Sequence, residues 1–485
     1  MSLRLHPDRF FPPDPAERAA ARAVYEDTCD LPIVSPHGHV DPALLAENAP
    51  FPEPTELLIT PDHYVFRMLH SQGIGLDALG IPRADGSRAE ADPRAVWRTF
   101  CAHWHLFAGT PTRAWLEYEL VELFGVDAAP SADTADRIYD QIAERLASPE
   151  YRPRALFERF GIETLATTDA ATDALEHHAA LHAMGWDGAD GAPRMIPTFR
   201  PDALVRIARP AWRAEVARLG DLTGLDVDGY AAFAEALRQR RRVFAERGAV
   251  ATDPAAETAR TGWLAESERD AVFARALAGT ATEADEAAFT AHMLMAFAEM
   301  SAADGLVMQL HVGSLRDHNR PLAARFGPDK GADIPLATEF TRALRPLLSA
   351  YGSAPGFRMI VFTLDEATYA RELAPLAGHY PGLVLGPAWW FHDSVEGMLR
   401  FRERTTETAG VYNTAGFNDD TRAFCSIPAR HDLARRVDAH YLGRLVARHQ
   451  IGLAEARRIG RDLAYTLPRQ AYRLDQTVPN APLTG

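Results

Sequence analysis

At 485 residues, 47% hydrophobic and 24% charged, the chain can bury one large core plus an insertion, or about two to three ordinary domains. Its 51 Lys+Arg against 66 Asp+Glu give a net charge of −15, which argues against nucleic acid as a partner. No run reaches the roughly 18–20 apolar residues of a membrane span, and the first residues lack the apolar core of a secretory signal, so a cytoplasmic protein with no membrane partner is expected.

The first predicted strand, within 31–36, runs into His37-Gly38-His39. Strand alternation puts both imidazoles on one side of the backbone, where they can share a metal ion such as zinc. Two loop histidines beside a turn would give the same short pattern. Apolar spacing near 3.6 then marks helices over 62–70, 93–100 and 114–124, and Ser131 is placed to cap another over 133–147. A βα connection needs only a short loop, so 59–155 reads as an α-helical insertion between 1–58 and 156–485.

Further strands are predicted at 164–168 before Asp169 and at 194–199 before Arg200-Pro-Asp202. A helical excursion follows over about 212–303. Strands resume at 305–310 before His311, 358–363 before Asp365, 382–387 before Trp389-Trp390 and 411–417 before Asn418-Asp419-Asp420-Thr421-Arg422. Helices over 432–449 and 453–467 end the chain. Ionisable residues gather at strand C-termini, as in a parallel barrel. An open doubly wound sheet does the same, but no glycine-rich phosphate loop follows any strand. The expected class is α/β, with seven strands read directly and an eighth inferred.

Cys29, Cys101 and Cys425 have no C-x-x-C spacing, which removes a disulfide framework or cysteine zinc site. Lys330, the only lysine, lies in a polar loop and is the sole candidate for a Schiff base or a carbamylated metal bridge. Asp420 and Arg422, at i and i+2, can present a carboxylate and a guanidinium side by side, or form a surface turn with a local ion pair. In the first case the carboxylate serves as third metal ligand or general base, and the guanidinium keeps it ionised. His311 points into the barrel mouth or is a satisfied structural histidine. Arg200 is a clamp for an anionic substrate or the partner of Asp202, and Trp389 and Trp390 offer flat faces for a sugar or for packing.

Pro36-His-Gly-His39, Asp62-His-Tyr64, 165–169, Phe199-Arg-Pro-Asp202, Gln309-Leu-His-Val-Gly313, Trp389-Trp-Phe391 and Asp420-Thr-Arg422, in this order and spacing over nearly the whole chain, resemble the uronate isomerases (glucuronate isomerases). These are a divergent branch of the amidohydrolase superfamily. The resemblance implies a distorted (β/α)8 TIM-type barrel with a helical insertion. It implies interconversion of D-glucuronate with D-fructuronate and of D-galacturonate with D-tagaturonate. It also implies one divalent metal, zinc, on His37, His39 and Asp420, and a substrate site lined by His63, Tyr64, Arg200, His311, Trp390 and Arg422. The chain departs from the family around Trp115 and just before Asp420, which leaves the preference between hexuronates open.

Such an isomerisation removes the proton at C2 and returns one at C1, so it needs a base, a proton donor and support for an enediolate. Asp420 is the expected base, Tyr64 the donor, Arg422 the support, Arg200 the carboxylate clamp and His311 a tuning group, with His63, Trp389 and Trp390 holding substrate. With only two histidines and one aspartate the ion is expected to be weakly held, to orient more than to activate, and not to be strictly essential. The competing readings are a mononuclear metal-dependent hydrolase or decarboxylase of a small acid, and a sugar-acid binding protein on a degenerate barrel. A homo-oligomer is compatible with the sequence.

Overall fold

The computed structural model describes residues 2–89 and 91–475. Apart from a short antiparallel pair, Ser314–Leu315 with Ile334–Pro335, its main strands are short, parallel and buried on both faces, which is why they read as aliphatic runs and not as alternating ones. In chain order they are β1 (Ile33–Ser35), β2 (Ile162–Ala166), β3 (Arg194–Ile196), β4 (Ala251–Thr252), β5 (Val307–Val312), β6 (Met359–Thr363) and β7 (Leu383–Leu385). β1 pairs with β2 and β2 with β3, and both β2 and β3 continue past a break into the paired segments Asp169–Ala170 and Phe199–Arg200. Phe199 pairs with Thr252 of β4, and β4–β5, β5–β6 and β6–β7 complete the series.

An eighth position brings the series back to its start. Thr414 bridges Leu385 in parallel, and a few residues later Thr421 O accepts from His39 N at 2.9 Å, while Asp420 N donates to His37 O at 3.3 Å. One hydrophobic cluster takes Val34, Ala166, Ile196, Ala251, Val307, Ile360, Val384 and Ala415, a residue from every position, which is the interior of a barrel. Tyr472 plugs its lower end, fully buried, and donates its hydroxyl to Gln309 Oε1 at 2.9 Å.

Three expectations change here. The missing strand is Ala251–Thr252, inside the stretch read as a continuous helical excursion over 212–303. Two residues between the helices Tyr230–Glu246 and Glu266–Ala278 carry too little pattern to stand out. The stretch 411–417 holds the eighth position without being a strand: it opens with a 3₁₀ turn, Val411–Asn413, and contributes a single bridge. Ser131 is also not a helix cap, since that helix spans Ala135–Leu146 and Thr134 occupies the capping position.

Between β1 and β2 lie the helices Pro42–Glu47 through Pro153–Arg159. Their apolar faces merge with the outer faces of β1, β2 and β3 in one core containing Ile33, Leu165 and Met195. The helical excursion and the C-terminal helix Ile427–Ala447 form the other large core. No helix among the described residues is long and apolar enough to cross a membrane.

Candidate active site

The C-terminal ends of the strands open into a cleft of about 720 Å³, part of it open to solvent. His39 follows β1, Arg200 follows β3, Trp389 and Trp390 follow β7, and Asp420 and Arg422 stand at the eighth position. The insertion supplies Asp62, His63 and Tyr64 at the start of helix His63–His70, where Asp62 caps by accepting from Tyr64 N at 2.8 Å. Residues far apart in sequence therefore meet at one mouth.

At the floor, Asp420 Oδ1 lies 3.2 Å from His37 Nε2 and 3.0 Å from His39 Nε2. That oxygen is buried yet makes no hydrogen bond with either imidazole. Three donor atoms converge on one point without satisfying one another, and all lie within 4.8 Å, so this set fits a divalent cation with nitrogen and oxygen ligands. Asp420 Oδ2 accepts from Trp389 Nε1, an outer contact that fixes the carboxylate plane. Asp420 is held at φ 44° and Trp390 at φ 52°, left-handed conformations disfavoured for such residues and typical of functional sites. Burial pushes the Asp420 carboxyl up, but the facing imidazoles outweigh it and hold it well below the usual carboxylate range.

Arg422 is not the group that keeps Asp420 ionised, contrary to the sequence expectation. The left-handed turn at Asp420 breaks strand alternation, and Arg422 pairs instead with Asp329, Nη2 to Oδ2 at 3.2 Å. Gly38 is also less constrained than its place between two ligands suggests, because a Cβ there would meet neighbours at an ordinary 3.5 Å.

His311 lies beneath the cleft, 5% exposed, stacked between His37 and Phe362 at centroid distances of 4.8 and 4.1 Å. Its Nδ1 meets Asp253 Oδ1 at 2.6 Å, which leaves Nε2 buried and unpartnered. Asp253, at the end of β4, is 2% exposed, lies 3.8 Å from Arg200 Nη1, and forms a second possible ligand group with His37 and His311. Sequence reading missed it with its strand. The signal was present in Val250-Ala-Thr-Asp253, a short apolar run ending in a carboxylate as at the other strand ends.

Arg200 donates to Asp202 Oδ2 at 2.8 Å, the pairing offered as one of its two readings, and it also lines the cleft. Trp389 is mainly packing, T-shaped against His311 at 4.7 Å, whereas Trp390 donates to His63 Nε2 at 3.2 Å. Arg316, Asp329, Asp333 and Arg430 also line the cleft and were not anticipated. The Arg430 guanidinium is buried, 3.6 Å from the Trp115 ring centroid and 5.3 Å from that of Tyr64. Burial, reinforced by Asp393, pushes the Tyr64 phenol well above its ordinary value, so it is a neutral donor at neutral pH. Nearby, burial and the Asp62 charge push Glu119 up to about 8, and burial raises Asp393 to about 7.

His63 is pushed the other way. Burial, helped by the Arg422 cation, lowers its pKa to about 3, and Trp390 donating to Nε2 requires the neutral ring. With a folded value below the ordinary ~6.5 of an unfolded chain, the unfolded state binds more protons in between. The contribution of His63 to stability is complete above about pH 6.5 and declines as pH falls toward 3. In His63→Gln, the fall in unfolding free energy over that window is expected to be shallower, as read from urea titrations at stepped pH. An unchanged slope would refute the assignment.

A parallel eight-position barrel with two imidazoles just past its first strand and a carboxylate from its eighth position at the C-terminal mouth defines an amidohydrolase-type α/β fold with a candidate metal centre. A solved putative metal-dependent hydrolase from Lactobacillus casei shares that fold at TM-score 0.54 and 15% identity, over 94% of this chain and 99% of its own. The family described as UxaC, glucuronate isomerase, matches residues 15–472, and the chain belongs to it. A uronate isomerase of Phenylobacterium zucineum is 54% identical, covering 98% of each chain. The crystal structure of glucuronate isomerase from Caulobacter crescentus superposes with TM-score 0.95 at 50% identity, covering 100% of both chains.

Proposed function

We infer that the protein is an aldose–ketose isomerase that interconverts D-glucuronate with D-fructuronate and D-galacturonate with D-tagaturonate, moving a proton between C2 and C1 through an enediol. The observation that carries this is the placement of Asp420, Tyr64, Arg200 and Arg422 around one cleft. Asp420, kept ionised by His37 and His39, takes the C2 proton as general base. The neutral Tyr64 hydroxyl gives a proton to, or accepts one from, a sugar oxygen. Arg200 holds the uronate carboxylate, and Arg422 supports charge on the enediolate oxygen. His63, Trp389 and Trp390 shape the sugar pocket, and His311, anchored by Asp253, sets the His37 ring from below.

His37, His39 and Asp420 would hold one divalent ion, zinc by donor chemistry, which when bound supplies positive charge to orient a sugar oxygen and the Asp420 carboxylate. The family does not favour the hydrolase or decarboxylase reading. The test is incubation of the purified protein with each hexuronate in D2O. The ketose should appear, with solvent deuterium at the positions that exchange through an enediol. Incorporation of solvent oxygen without ketose would indicate hydrolysis and reject the proposal.

A further inference from the structure

Four arginines face the cleft, and three are paired from the wall behind them. Arg200 pairs with Asp202 at 2.8 Å, Arg316 with Asp333 at 2.7 Å and Arg430 with Asp393 at 3.1 Å, and these carboxylates are at most 12% exposed. Arg422 differs. Among the described residues its only ion-pair partner is Asp329, and both side chains are open, at 42% and 45%.

Asp329 differs from the other carboxylates of the cleft in the same way. Asp62 caps a helix, Asp333 accepts from Arg316 and from Asp317 N, and Asp420 is held by Trp389. Among the described residues Asp329 accepts only from Arg422, with its other oxygen 3.8 Å from Arg316. It is presented by a loop with three left-handed positions, Gly327 at φ 81°, Asp329 at 59° and Gly331 at 72°. Gly331 is required there, since a Cβ would lie 2.7 Å from Arg67 Cβ. The backbone thus accepts an unfavourable conformation to aim one carboxylate into a cationic cleft. The cleft walls partly desolvate the carboxylate even though its side chain is 45% exposed, which opposes its charge, but Arg422, Arg316 and Arg200 outweigh this and hold its pKa at about 2, so it is an anion at neutral pH.

We propose that Asp329 is a specificity-determining internal anion, which caps Arg422 in the free enzyme and is displaced only when a substrate carboxylate enters the same cationic cluster. This rests on the uronate reading above. A carboxylate docking at Arg200 repels Asp329 and replaces its charge, which frees Arg422 for the enediolate oxygen. A neutral aldose brings no such charge, so displacing Asp329 would leave Arg422 without a counter-charge, and the sugar is rejected.

The test uses Asp329→Asn, which keeps size and tolerates the left-handed backbone, with Asp329→Ala as a second variant. In both, KM for D-glucuronate is expected to fall by roughly threefold to tenfold, the scale of a half-exposed ion pair, with kcat changing less. D-glucose, which cannot displace Asp329 in the wild type, should gain kcat because Arg422 is no longer capped, and by more than D-glucuronate gains in kcat/KM, so the ratio of kcat/KM for D-glucuronate over D-glucose should narrow. Calorimetry with unreactive D-gluconate reads the same exchange without turnover: affinity should rise in the variants, while binding of uncharged sorbitol should not. A higher KM together with weaker gluconate binding would mean that Asp329 holds the sugar itself, and unchanged values would mean that it is a bystander; either overturns the proposal. If the wild-type protein turns over no uronate, the isomerase reading fails by itself, and the gluconate comparison still decides the role of Asp329.

Discussion

Asp420→Asn is expected to lower kcat for D-glucuronate by roughly 10² or more, the usual loss on removing a positioned general base. Asparagine keeps the shape and one oxygen toward His37 and His39, but it cannot take the C2 proton. It also places an amide where Trp389 Nε1 now meets a carboxylate oxygen. Zinc content, measured by atomic spectroscopy on the same preparation, separates loss of the base from loss of the ion. An inactive variant that still binds one equivalent of zinc marks Asp420 as the base, whereas activity that returns in full on adding zinc marks it as a ligand only. Wild-type turnover in the variant would reject both roles.

The second large effect is expected at Asp253, on stability as well as rate. Its carboxylate, 2% exposed, serves His311 Nδ1 at 2.6 Å and lies 3.8 Å from Arg200, so it balances charge under the whole cleft floor. Burial alone would push its pKa up, yet His311, His37 and Arg200 hold it far below the ordinary range. Asp253→Ala removes one partner and leaves the other polar groups buried, a change that costs about 3–5 kcal/mol. Against a total of about 5–15 kcal/mol for a typical domain, this is a severe loss. The denaturant midpoint should drop with an unchanged m-value, and turnover should fall because His311 loses the contact that fixes its tautomer. A midpoint within error of the wild type would show that the pair is not a structural anchor.

Sequence reading succeeded where a local rule has a local outcome. An aliphatic run ending in an ionisable residue is a strand pointing at a mouth, and it placed His39 and Arg200 at the cleft without knowledge of the ring, while the same kind of run brought Trp390 there after a strand and Asp420 after a stretch that is not one. It failed where the pattern is shorter than the rule. β4 has two residues, so the strand, and with it Asp253, vanished between helices. Arg316 and Asp329 stand in loops without periodicity, and Arg430 lies on a buried helix, where an arginine looks like any other polar residue.

The amino-acid order by itself determined the α/β class, the His-x-His pair and the family resemblance, because these depend on residue type and on spacing along the chain. Only the folded molecule decided who pairs with whom. Arg422 turns from Asp420 to Asp329 because one residue sits at φ 44°, and His311 becomes a buried layer beneath the cleft because Asp253 and Phe362 close on it from other strands. Charge pairing acts through space over a few ångströms, so partners 58 and 93 positions apart cannot be read from either residue's neighbours in the chain.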